Sequence, residues 1–457
     1  MKCVRTREAT RMDVLQKTSN HFEHNMIKQY ITQALAQLRQ HPIISAVSII
    51  GTALAIFLIM LVVMMQQVKT APFAPESNRD RFLHAKYLSI RNKSWSEGGS
   101  SNGPMSEQTA KELYASLKTP EAVTIYMCFT EATPVCLPGQ PSKSVDKQET
   151  DAQFWKVFDF QFIDGKPYDQ ATFDAGQSVA VITRSVARAL FGTAKGVSGR
   201  EFLLNHAPYR VAGVVEDVST LANTAYAQLW IPYTSTQVGA TTWTDGHMGY
   251  MSCTILAKSR DDFDAIREES FRRLEEYNKL ISEDGWHIIH RNRPYDQEKS
   301  TINQSANREF DVAPENRRRL ITYLILLIVP AINLSSMTQS RLRQRVSEIG
   351  VRRAFGSTRM EIMSQIIAEN FIVTLLAGAL GLMMSVMFAF AGSSMLFAQD
   401  YSTSLAPPEV DASMLLQLDT FLWAFFFCFV LNLLSSGLPA WRASRIGIVS
   451  AISGKLH

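Results

Sequence analysis

Four long runs without a charged residue decide what this chain can fold into. Ile43 to Met65 spans 23 residues, Phe371 to Ala391 spans 21, and Leu320 to Met337 and Phe421 to Leu438 span 18 each. A hydrocarbon layer about 30 Å thick is crossed by roughly 20 apolar residues of helix at about 1.5 Å per residue. One such run is compatible with a buried core helix, but four in one chain predict an integral membrane protein. The first two are separated by a polar stretch of about 250 residues, long enough for a folded region of its own. The composition, 46% hydrophobic, 19% charged and net +4, averages over both regimes and describes neither. It does exclude a disordered chain, and the lack of a dense basic block excludes nucleic acid as the main partner.

The flanking charges predict orientation, because Lys and Arg are retained on the cytoplasmic side. Lys2, Arg5, Arg7, Arg11, Lys17, Lys28 and Arg39 precede the first run. Arg341, Arg343, Arg345, Arg352, Arg353 and Arg359 lie between the second and third, and Arg442, Arg445 and Lys455 follow the fourth. The segment from Gly392 to Thr420 carries Asp400, Glu409, Asp411 and Asp419 and no basic residue. Both termini are therefore expected inside. The predicted organisation is a leader (1–42), a first span (43–65), a large external region (66–316), a second span (317–337) and a cytosolic segment (338–362). A third span (363–391), an external loop (392–419), a fourth span (420–440) and a cytosolic tail (441–457) follow.

The first run exceeds the 7 to 15 apolar residues of a signal peptide core, which predicts a retained span. Ile27, Ile31, Leu35 and Leu38 before it are spaced for a helix lying in the interface, with a solvated helical leader as the alternative. Met1 and Met26 both stand as starts. Cys128 and Cys136, on the oxidising side, would come within reach of a disulfide if a hairpin formed across Thr133-Pro134. No zinc spacing is present, and His21-x-x-His24 and His287-x-x-His290 read as surface or strand residues, so no metal site is expected.

The external region reads as an α+β unit. Arg81 to Arg91 is strand-like, Ser106 opens a helix through Leu117, and Val123 to Phe129 is a second strand. Met251 to Ala257, a helix from Asp261 to about Ile281, and Trp286 to Arg291 repeat the pattern. Two βαβ halves predict a ferredoxin-like sheet. Residues 131–245 between them predict an inserted β-rich subdomain, with strands at Ser178 to Ile182, Glu201 to Leu204, Tyr209 to Val215 and Leu229 to Ile231 and a turn at Asn205-His206.

Motifs for chemistry are missing. No G-x-x-x-x-G-K-[ST] cradles a nucleotide phosphate, and neither H-E-x-x-H nor G-x-G-x-x-G occurs. Gly99-Ser100-Ser101-Asn102-Gly103 matches G-x-S-x-G in letters, but polar Lys93 to Gly98 is not the buried strand a nucleophile elbow requires. The chain is expected to have no catalytic residues.

The informative segment is the basic one between the second and third runs. Arg341 to Arg353 is helix-compatible, with Val346, Ile349 and Arg353 on one side. Gly356 can end that helix, and Thr358-x-x-Glu361 is a capping box for the next. A short amphipathic helix joined rigidly to a membrane helix can transmit force; a basic loop that only fixes topology is the alternative. Within the spans, Glu369 and Asn370 are expected near the cytosolic interface. Pro330 frees a carbonyl that Asn333, Ser335 or Ser336 could satisfy, and Ala377-x-x-x-Gly381 permits close helix approach at a dimer seam.

The run Glu348-Ile349-Gly350-Val351-Arg352-Arg353-Ala354-Phe355-Gly356-Ser357-Thr358-Arg359 closely resembles the signature of FtsX/MacB-type ABC transporter permeases. The ending Pro439-Ala440-Trp441-Arg442-Ala443-Ser444-Arg445 with Ser450-Ala451-Ile452 looks like that family's ending, with Ile448 where the pattern has a proline. Phe154 to Phe162, Val179 to Thr183, Ala189 to Gly192 and Val211 to Val215 are similar to the MacB periplasmic core domain. The resemblance implies an α-helical membrane protein with four transmembrane helices and a large α+β periplasmic domain in the bacterial inner membrane. It implies a dimer, homo- or heterodimeric with a related permease, that relays ATP-driven motion to the periplasm by mechanotransmission. The coupling contact would lie on Arg345, Glu348, Ile349, Gly350, Arg352, Arg353, Gly356 and Arg359. Because this chain shows no fused ATPase, unlike MacB itself, ATP and Mg would be bound by a separate ABC ATPase. A periplasmic adaptor or outer-membrane channel and membrane lipid are the further partners implied. The expected role is export or extraction of a hydrophobic or peptide substrate. Control of a periplasmic partner without transport and lipoprotein release are alternatives, and a sensor independent of any ATPase is a third class.

Overall fold

The computed structural model describes residues 42–96, 99–303, 305–309, 311–392, 414, 418–448 and 451. The leader helix expected before Ile43 and most of the acidic 392–419 segment lie outside these residues.

The chain opens with helix α1 (Pro42–Gln67), then β1 (Phe82–Ala85), β2 (Leu88–Asn92), β3 (Ser101–Gly103), α2 (Glu107–Ala110), β4 (Ala122–Met127), β5 (Glu131–Cys136) and β6 (Lys143–Thr150). It continues through α3 (Phe154–Val157), β7 (Phe162–Gly165), α4 (Gln170–Asp174), β8 (Val179–Thr183), α5 (Arg184–Phe191), β9 (Glu201–Leu204), β10 (Ala207–Val215) and β11 (Leu229–Pro232). After β12 (Met251–Leu256), α6 (Phe263–Ile281), β13 (Trp286–Ile288), β14 (Tyr295–Asp296) and α7 (Gln297–Ile302) come four helices: α8 (Val312–Gln344), α9 (Val346–Ala354), α10 (Arg359–Ala391) and α11 (Leu418–Ser444). Two compact units result. One contains α1 to Met64, Glu315–Ala389 and α11; the other contains Met65–Pro314.

In the helical unit, α1, α8, α10 and α11 are long and apolar enough to cross a membrane. Each contains one of the four uncharged runs. Ile56, Ile59 and Met60 of α1 share a core with Leu327 and Ala331 of α8 and with Ala424, Phe427 and Leu431 of α11. On α10, glycine sets the approach. A Cβ at Gly381 would stand 2.5 Å from the Ala53 carbonyl oxygen and 3.1 Å from Ile56 Cβ, and one at Gly378 would run into Cys428 Sγ. The small-residue face around Ala377 and Gly381, expected at a dimer seam, therefore packs against α1 of the same chain. The side chain of Asn333 lies outside the described residues. Gly381→Ala is expected to lower stability by about 1–3 kcal/mol through overpacking against a backbone that cannot yield, measured as the unfolding midpoint in detergent.

The other unit is the α+β region. Its host strands pair antiparallel in two sheets: β13 with β2 in one, and β1 with β12 and β12 with β4 in the other. This is the split βαβ order, with α6 leading into β13 and the first strand broken. The single strand expected from Arg81 to Arg91 divides after Ala85, so β1 and β2 serve different sheets. Ser106 caps α2 by accepting from the Thr109 amide. Leu83, Ile90, Leu113, Ile255, Ile266 and Ile288 fill the core between this sheet and its helices.

Between β4 and β12 the inserted strands close on themselves. β6 pairs with β5, β5 with β9, β9 with β10, β10 with β8, β8 with β11, and β11 returns to β6. This ring of six strands is a small barrel. Strand alternation sends Ala180 and Ile182 of β8 into one core with Phe202, Val211 and Ile231, and Val179 and Val181 into another with Phe154, Phe158 and Trp230. Asn205 and His206, at φ +46° and +67°, make the tight turn between β9 and β10.

Two strands of this ring, β5 and β6, have no counterpart in the sequence reading. Thr133 and Pro134 lie within β5 rather than at a turn, so the hairpin on which a Cys128–Cys136 disulfide depended does not form there, and both cysteines are free thiols. The hairpin forms between β5 and β6, with Val135 opposite Lys143, and β6 intervenes between β5 and β4. Burial pushes the Cys128 thiol up to about 12, so it stays protonated.

Two of the places in this unit that enclose charged side chains hold ion pairs. Lys147 of β6 donates to Glu149 Oε1 at 2.8 Å and lies 3.1 Å from Glu131 Oε2. Arg79, 1% exposed, pairs with Glu76 at 2.6 Å and donates to the carbonyls of Val68, Ala71 and Leu221. Glu76 also accepts the amides of Thr224 and Ala225 at 2.9 Å each. This knot ties the segment after α1 to the loop before β11. Lys147→Ala leaves Glu149 buried without its cation and is expected to cost about 3–5 kcal/mol, seen as a lower thermal midpoint that Lys195→Ala, at an exposed lysine, does not reproduce.

Candidate functional site

The basic segment folds as a corner. α8 ends at Gln344, Arg345 leaves the helical region at φ −104° and ψ 10°, and α9 begins at Val346. The single helix expected through Arg341 to Arg353 is thus interrupted at Arg345. The apolar side of α9 is anchored as its spacing predicts: Ile349 packs with Leu342 of α8, Ile362 and Ile366 of α10, and Ala440 and Ala443 of α11. Gly350 is buried, and Val346 beside it. Gly356 turns the chain at φ +99°, a conformation open to glycine at little strain. The capping box forms as expected: the Thr358 amide donates to Glu361 Oε2 at 3.0 Å, and the Glu361 amide to Thr358 Oγ1 at 3.2 Å.

A closed ring of charged hydrogen bonds fixes the angle between α9 and α10. Arg345 donates to Glu348 at 2.9 Å and to Glu369 at 2.8 Å. Arg352 donates to Glu348 at 2.6 Å and to Gln365 at 2.8 Å, and Gln365 donates to Glu369 at 2.8 Å. Arg353 reaches the other way, to the Ile446 carbonyl at 2.5 Å, just beyond α11. Burial alone would lower the Arg345 pKa; its hydrogen bonds to Glu348 and Glu369 outweigh that and raise it. The bond from Arg345 holds the Glu348 carboxyl below its usual range, against partial burial.

The eight residues expected to make the coupling contact separate into two groups. Arg345, Glu348, Arg352 and Arg353 engage their own chain, and Ile349 and Gly350 are inside. Gly356 and Arg359 face out. What the corner presents outward is apolar: Phe355 is 88% exposed, and Val351 and Met360 are exposed beside it. Val351 and Phe355 are four residues apart and so lie along one side of the turn, away from Ile349. That second apolar spacing is visible in the sequence but was hidden by reading the segment for its charge. Arg345→Ala, which removes one charged donor from the 4%-exposed Glu369 and opens the ring, is expected to lower the unfolding midpoint. Arg359→Ala, at an exposed position, leaves the unfolding midpoint unchanged.

Comparison with known proteins divides the chain in the same way. Residues 45–270 match the MacB-like periplasmic core domain, and residues 320–448 match the FtsX-like permease C-terminal domain. The chain is 23% identical over 308 residues to the macrolide export ATP-binding/permease protein MacB of Escherichia coli K12, covering 66% of this chain and 42% of that protein. It is 28% identical over 310 residues to MacB 1 of Aeromonas hydrophila, with the same coverage. The chain thus spans about two fifths of the length of these curated relatives. Among solved structures, the periplasmic region of MacB from Actinobacillus actinomycetemcomitans aligns at 20% identity with a TM-score of 0.32, over 48% of this chain and 94% of that one. The extracellular domain of the transporter YknZ from Gram-positive bacteria aligns at 11% identity with a TM-score of 0.31, over 44% and 99%.

Proposed function

This chain belongs to the FtsX/MacB-type family of ABC permeases of the bacterial inner membrane, and on that premise we propose that it is the permease subunit of an ATP-driven machine. A separate cytosolic ATPase binds ATP and Mg and docks on the corner at α9. Closure of that ATPase moves the corner, the corner moves α10 and α8, and the motion reaches the α+β domain on the periplasmic side. The termini lie in the cytosol, in keeping with the basic residues that flank α8, α10 and α11. Two copies, or one copy and a related permease, form the working dimer. The work done is export or extraction of a hydrophobic or peptide substrate.

The observation that carries this reading is the pairing of a braced corner with an exposed apolar tip. A docking segment has to be stiff to pass on force, and the ring through Arg345, Glu348, Arg352, Gln365 and Glu369 makes α9 and α10 a single lever. It also has to offer something to bind. Phe355, Val351 and Met360 offer an apolar knob of the kind that anchors a protein interface, beside the cation of Arg359.

Affinity purification of the tagged full chain from its native membranes in mild detergent tests this. Wild type is expected to retain an ABC ATPase, and Phe355→Asp to lose it by at least about tenfold, equivalent to 1.4 kcal/mol, with no change in unfolding midpoint. An ATPase retained equally by Phe355→Asp would show that the tip is not the dock. No ATPase with wild type would end the driven-permease reading.

A further inference from the structure

The three-stranded sheet β13-β2-β3 carries on its outer face a hollow of about 340 Å³ that the coupling reading does not use. In the β2 and β13 register, Arg91 lies directly opposite His287. Alternation buries Ile90 and Ile288 and turns Arg91 and His287 outward, both exposed. Lys93 joins them from the end of β2; its ammonium donates to the Ser282 carbonyl at 3.1 Å and keeps further donors. No carboxylate among the described residues lines the hollow. Among the described residues the Arg91 guanidinium makes no ion pair, so it stands across the strand pair from the His287 imidazole with its charge uncompensated. Burial, and Arg91 after it, hold the His287 imidazole below its usual range.

The wall of the hollow is aromatic. Trp95, 39% exposed, stands edge-on to Trp286 with ring centroids 5.3 Å apart. The Trp286 indole N–H is occupied by Asp245 Oδ2 at 2.9 Å, which fixes that ring and leaves Trp95 to offer a face. A guanidinium without a counter-charge selects a phosphate or carboxylate, which it grips in bidentate fashion. An exposed indole beside it selects a flat, partly apolar ring. The volume, at the low end of small-molecule sites, suits one ring and its charged group.

We propose that this hollow binds an anionic monosaccharide, with the sugar ring against Trp95 and the phosphate or carboxylate on Arg91, Lys93 and His287. The site stands independently of the ATPase contact, so either reading can fail alone. Isothermal titration of the full chain in detergent, at fixed salt, uses glucose 6-phosphate, glucuronate, glucose and inorganic phosphate as probes. The two anionic sugars are expected to bind saturably, glucose and phosphate at least about tenfold more weakly. Arg91→Ala and Trp95→Ala each weaken the anionic sugars by about tenfold or more, whereas Lys195→Ala, which removes an equal charge at an exposed position in the inserted barrel, does not. Arg91→Gln, which keeps most of the side chain's packing, is expected to lose affinity as Arg91→Ala does. Absence of saturable binding by both anionic sugars, equal affinity for phosphate alone, or unchanged binding by Arg91→Gln would overturn the proposal.

Discussion

A guanidinium held between two carboxylates is the constraint on which the helical unit turns. Arg345 sits where α8 gives way to α9, and its hydrogen bonds to Glu348 on one helix and Glu369 on another leave one arrangement in which all three charges are satisfied. Paired charges add little net stability, but an unpaired one is costly, so such a cluster favours one geometry over its neighbours. Ile349 then packs on α10 and α11, Arg353 ties α9 to the end of α11, and the apolar residues that remain are turned outward. Stiffness at the corner and exposure at its tip are two results of one network.

Close packing carries that stiffness along the bundle. At Gly381 the Cβ position falls on the Ala53 carbonyl, and at Gly378 on Cys428, so α10 approaches both α1 and α11 with nothing soft between. In the α+β unit the same part is played by Arg79, whose guanidinium gathers Glu76 and three carbonyls and so joins the stretch following α1 to the loop before β11. In both units a cation hydrogen-bonded to carboxylates or carbonyls, half-buried at Arg345 and fully buried at Arg79, marks a place where one segment is held against another.

The spans were legible because hydrocarbon permits no other reading of a charge-free run of such length, and the corner because Gly356, Thr358 and Glu361 carry local turn and capping chemistry. The host strands were legible from alternation and β-branched residues; their pairing order followed from the two βαβ halves. The barrel was not. β6 reads Lys-Ser-Val-Asp-Lys-Gln-Glu-Thr, a polar string that nothing local marks as a strand, yet Asp146 to Thr150 are buried by partners far along the chain. The ring at the corner was hidden for the same reason. Arg345, Glu348 and Arg352 are near in sequence, but Gln365 and Glu369, which close the ring, come from the next helix, so a run of arginines looked like a surface for another protein.

The inserted barrel leaves the host sheet after Met127 and returns at Met251, and those two residues are opposite each other in the β4 and β12 register. The entry and exit points of the insertion are therefore neighbours, so the β4–β12 pairing does not depend on the length of what lies between them. The ring of six strands closes without borrowing a host strand and meets the host sheet by strand pairing only at Tyr126 opposite Thr150. Such geometry makes the barrel an exchangeable cartridge. A change in its length or shape would leave the Met127–Met251 pairing of the host sheet in place.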